Sequence, residues 1–68
     1  MQKIKINGFP KVQVYSILVT DNLACLEKAN KDKTKLENKG FNLIKTRNIG
    51  FGSYELIYSD KDYVKDLV

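Results

Sequence analysis

The sequence predicts a single α+β domain with the element order β-β-α-β-β-α, and three observations carry that prediction. First, short stretches with strand-like alternation recur at "QKIKI", "VQVYSILVT", "FNLIKTRN" and "YELIYS". Second, a helix-period stripe of Cys25, Leu26, Ala29 and Leu36 lies between the second and third of these and stops at Gly40. Third, "SDKDYVKDLV" sets Ser59 and Asp62 three residues apart, in the manner of a capping box. It then repeats Tyr63, Val64, Leu67 and Val68 at helical spacing. At 68 residues, the whole span 1–68 makes one domain.

In "QKIKI", Ile4 and Ile6 share one face and Lys3 and Lys5 the other, as in an edge strand. "NGFP" follows, with an Asn-Gly pair that favours a tight reversal. From Val12 to Thr20 the chain begins by alternating, but "ILV" puts apolar groups on both faces, which fits a central strand. Thr20 or Asp21 is the expected N-cap of the helix, and Lys33 falls on its apolar arc and has to snorkel. Gly40 stands where a left-handed residue closes a helix, with Phe41 placed to pack back on Leu36. In the fourth strand Tyr54, Leu56 and Tyr58 share one face, Glu55 and Ile57 the other. The two tyrosines are expected beneath the second helix.

Chirality orders the strands. A right-handed crossover from the central strand through the helix to the third strand leaves room for the fourth between them. The sheet order becomes 1-2-4-3, mainly antiparallel, with both helices on one face: a ferredoxin-like plait whose last strand has moved to the front. The alternative is a ββαββ sheet with one packed helix.

Composition narrows function by exclusion. Twelve basic and eight acidic residues give +4, an excess that favours polyanions without selecting one. Cys25 is the one cysteine and there is no histidine, so neither a disulfide nor a structural zinc is expected, and the free thiol suits a reducing compartment. Cys25 itself lies on the apolar arc and reads as an inert core thiol. No apolar run approaches the ~20 residues of a membrane span, and "MQKIKINGFPK" has no signal-peptide core, so a cytoplasmic protein off the membrane is expected. Asp60 and Asp62 are placed to favour the positive end of the last helix, and with Asp66 they lack the spacing of a calcium loop. With no histidine, metal cluster or paired acid and base, neither catalysis nor a cofactor is expected.

From "SILVTDNL" onward the chain resembles an RNA-recognition-motif domain. Ile17, Leu18, Val19, Asn22 and Leu23 are similar to that family's short strand motif. Gly50, Phe51 and Gly52 with "SYELIY" resemble its second, and "YSDKDYVKDLV" its passage into the second helix. The resemblance covers about residues 16–68 and implies a plait, with RNA bound through stacking aromatics. Of the three stacking positions only Phe51 is aromatic; Leu18 and Ser53 fill the others, and Ile49 replaces a basic residue. Base stacking contributes roughly 1–3 kcal/mol per base, so most of that source of affinity is missing.

Two surfaces remain as candidates. If Tyr15, Ile17 and Val19 face the helices, then Val12, Val14, Leu18 and Ile57 form an apolar open face, which marks an interaction site. Lys28, Lys31, Lys35 and Lys39 form a basic helix stripe within about 80°, opposite the apolar one. The pairs Glu27–Lys31 and Lys28–Asp32 are expected to blunt its charge, so it reads as a solvated face. "GFG" reads as a tight hairpin rather than a phosphate loop. The leading expectation is therefore a small non-catalytic binding protein, a regulator, inhibitor or adaptor, acting on a protein partner or as a homodimer. Its Lys/Asn-rich single-domain composition is of the kind that phage and mobile-element genes often encode. The alternative is a nucleic-acid-binding module using Phe51 with Lys3, Lys5, Lys45 and Arg47.

Overall fold

The computed structural model describes every residue from Met1 to Val68. The four alternating stretches become β1 (Gln2–Ile4), β2 (Val14–Val19), β3 (Asn42–Gly50) and β4 (Ser53–Ser59), and α1 spans Leu23–Asn38. The sheet order is β1-β2-β4-β3, with every neighbouring pair antiparallel. The register sets Tyr15 opposite Tyr58, Ile17 opposite Leu56 and Val19 opposite Tyr54. All six of these side chains therefore share one face, and α1 lies on it. Ala29 and Leu36 of the helix are buried there with Ile17, Val19, Phe41 and Tyr58.

Both ends of α1 are fixed by local chemistry. Asn22, not Thr20 or Asp21, is the N-cap: its Oδ1 accepts from the Cys25 N–H at 3.1 Å. Thr20 serves one step earlier, its hydroxyl accepting from the Asn22 N–H at 3.3 Å. At the other end Gly40 takes φ +85. Its N–H reaches the Glu37 carbonyl at 3.1 Å and the Phe41 N–H reaches that of Leu36 at 3.0 Å. This is the paired bonding of a Schellman ending, and Phe41 joins the core cluster of Leu36 as its spacing predicts.

The C-terminal segment departs from expectation in kind and in place. Asp62–Leu67 forms a 3-10 turn rather than an α-helix. Ser59 does not cap it; the Ser59 hydroxyl accepts from the Lys61 N–H at 3.1 Å, a local turn, and Lys61 supplies no side-chain cap. The segment also lies on the sheet face opposite α1. Val64 is fully buried there with Val12, Val14 and Ile57, and Ile4, Ile6, Ile44 and Val68 pack around them. The two helices expected on one face are thus one α-helix on one side and a short 3-10 strap on the other. The physical reason is that the central strand is apolar on both faces, so each face needs its own cover. The strap is pinned by Asp60, whose carboxylate accepts from the Gln13 N–H at 3.0 Å, and by the Lys45 ammonium on the Val68 carbonyl. Tyr58 does pack beneath a helix, but that helix is α1, and Tyr54 is largely exposed.

Candidate functional site

The apolar face expected to stand open is mostly closed. Val14 and Ile57 have no exposed surface, and Val12 is buried beside them. Leu18 alone stays open, 52% exposed, because the strap stops short of its end of the sheet. Beside it on the same face, Arg47 Nε and Nη2 donate to Glu55 Oε1 at 3.0 and 2.7 Å.

The most exposed large apolar side chain, Phe51, stands instead at the tip of the β3–β4 hairpin. β2 ends where Val19 faces Tyr54, whereas β3 and β4 continue through Asn48–Tyr54 to Gly50–Ser53. The hairpin thus projects past the rest of the sheet. Only Phe51 and Gly52 form its loop, with φ +50 and +76, both positive as a type I′ turn demands. An extra residue, Ile49, bulges β3 just before it, and the Asn48 carboxamide secures the bulge by accepting from the Gly50 N–H at 2.8 Å.

Phe51 is the anomaly of the molecule. Its first loop position is one that Asn, Asp or Gly fills readily, because their side chains tolerate positive φ. An aromatic there is strained by about 1–2 kcal/mol. It recovers nothing by packing, since Phe51 is 105% exposed. Ile49 at 52% and Tyr54 at 40% flank it, and no charged residue occurs from Asn48 to Tyr54. The sequence marked "GFG" as a tight hairpin but did not single out Phe51 as a residue at positive φ. The signal for Phe51 was the two-residue loop length, legible only once Gly50 is known to pair with Ser53.

The basic residues expected to join Phe51 do not. Lys3 faces Tyr15, which faces Tyr58, seven residues along β4 from the tip. At about 3.3 Å per residue that is about 23 Å, too far for one nucleotide to touch both. Lys5 lies further along the same edge. Lys45 is bonded to the Val68 carbonyl and Arg47 to Glu55, on the face that carries the strap. Lys28, Lys31 and Lys35 are exposed on α1, and Lys39 is exposed at its C-cap.

Two groups outside the tip complete the inventory. Cys25 is half-buried and its thiol lies 3.5 Å from the Leu18 carbonyl. Burial pushes the Tyr58 hydroxyl above its ordinary pKa of 10.0, and the Glu37 carboxylate adds to the shift. No three His, Cys, Asp or Glu side chains gather as a metal site, and no helix is long and apolar enough to cross a membrane. No family model, curated protein or solved structure matches the chain.

Proposed function

We propose that the chain is a small non-catalytic binding protein, a regulator, inhibitor or adaptor, that docks on a protein partner by inserting Phe51 into an apolar pocket. The observation that supports this is the pairing of strain with exposure at Phe51: a strained backbone position carries a ring that stabilises nothing within the monomer. Rigid aromatic anchors dominate protein interfaces, and burying one contributes about 1.5–3 kcal/mol. The uncharged run from Asn48 to Tyr54 favours an apolar pocket over a phosphate-rich surface. On this reading the strand order is that of a permuted plait whose second helix has shrunk to a strap and moved to the other face.

The test is capture from cells of the native host, after nuclease treatment, on immobilised wild type and Phe51→Asn. A protein held by the first and released by the second supports the reading. Sedimentation of the free chain separates a foreign partner from a second copy. Equal capture by both baits, or capture that nuclease abolishes, contradicts it.

A further inference from the structure

The basic charge that the hairpin leaves unused is concentrated on one side of the sheet. Lys28, Lys31, Lys35 and Lys39 are exposed and none is in an ion pair. The pairs expected to neutralise them do not form. Asp32, the intended partner of Lys28, is held by the Met1 ammonium at 3.1 Å. Glu27 makes no ion pair with Lys31. Glu37 acts on the Tyr58 side of the helix, away from the lysine row. Lys3 adds to the same side, since it stands opposite Tyr15 on the face that α1 covers. On the opposite face Lys45 and Arg47 are engaged, and the two lysines of the strap, Lys61 and Lys65, stand among Asp60, Asp62 and Asp66 rather than in a row of their own.

We propose that the α1 side of the sheet is a docking surface for the phosphate backbone of a single-stranded nucleic acid, bound without regard to sequence. The four lysines step along the helix by 3, 4 and 4 residues. That is a nearly straight row about 16 Å long at 1.5 Å per residue. A row of point charges fits a polyanion whose charges repeat along a line. Lysine lacks the planar fork that reads base edges, so the contacts position a backbone rather than specify bases. An anionic membrane fits less well. Along the lysine row, from Glu27 to Lys39, every exposed residue is polar, and the exposed Leu23 at the start of α1 is a single side chain, too little to anchor this surface among lipid chains. The surface is separate from Phe51, and neither proposal depends on the other.

The experiment is fluorescence anisotropy of a labelled oligothymidylate titrated with the full chain, from about 20 mM to about 200 mM salt. Four neutralised phosphates give a log–log slope of about −3. Lys31→Gln with Lys35→Gln halves that slope to about −1.5 and weakens low-salt binding. All of these side chains are exposed, so far-UV circular dichroism serves as the folding check. Lys61→Gln with Lys65→Gln, the same loss of charge on the strap, leaves the slope unchanged, as does Phe51→Asn. No binding at the lowest salt overturns the proposal. So does equal weakening by the strap variant, which would reduce the effect to net charge, or binding to phosphatidylserine vesicles without binding to the oligonucleotide.

Discussion

Val64 of the strap and Ile57 of β4 lie fully buried in one apolar cluster, on the sheet face opposite α1. That relationship decides what the apolar second face is for. The segment holding Val64 is a six-residue 3-10 turn without a side-chain cap, a form with poorer hydrogen-bond geometry than an α-helix. Its stability therefore rests on this one valine, on the half-buried Val68 and on the Asp60 and Lys45 tethers. Val64→Ala is expected to cost about 2 kcal/mol, from lost burial plus the cavity left behind. For a chain of this size the total is roughly 3–10 kcal/mol, so chemical denaturation will resolve the loss easily. Removing residues 61–68 should uncover Val14 and Ile57, and sedimentation should then detect stronger self-association than the full chain shows.

Phe51 makes the opposite prediction for stability. Phe51→Asn places a residue at ease with positive φ in the type I′ loop and removes an exposed ring. Stability should rise by about 1 kcal/mol, read as a Tm increase of about 4–8 °C for a domain this small. A residue that improves stability when replaced, yet anchors a partner, is the usual conflict between folding and function. A fall in Tm would mean that the ring packs on its own molecule.

Tyr58 gives a pH dependence with a definite sign. Burial first, and Glu37 second, raise its folded pKa above the ordinary 10.0. Below that value both folded and unfolded chains keep the proton, and the full stability is present. As pH rises past 10.0 the unfolded chain releases the proton more readily, so stability falls through the folded pKa. Tyr58→Phe should flatten this alkaline decline while changing stability at neutral pH by less than about 1 kcal/mol. Denaturation midpoints of the two proteins across the alkaline range provide the check. Parallel declines would assign the loss to other groups.

Legibility in the sequence followed the range of the forces involved. The Schellman ending of α1 depends only on Leu36, Glu37, Gly40 and Phe41, close together in the chain, and it appears as expected. The strand order was legible because alternation names the strands and chirality limits how they connect. The N-cap was misplaced because Thr20, Asp21 and Asn22 are all competent caps, and the choice among them depends on where β2 releases the chain. The face chosen by the strap was not legible at all. Helical spacing grouped Tyr63, Val64, Leu67 and Val68, but only Val64 is buried and Val68 half-buried while Tyr63 and Leu67 are exposed, and the spacing could not say which side of the sheet would receive them. The apolar set Val12, Val14, Leu18 and Ile57 was read as an open interaction face; three of the four are covered by the chain's own C-terminal segment, which the sequence did not show. The row of lysines was visible, but its lack of ion pairs required knowing that Asp32 turns to Met1.

The most direct measurement is a photo-cross-linking amino acid placed at position 51, irradiated in cells of the native host. The account predicts one dominant protein adduct that survives nuclease treatment and is absent when the same probe replaces Lys61. An adduct no stronger at 51 than at 61, or one made of nucleic acid, would contradict it.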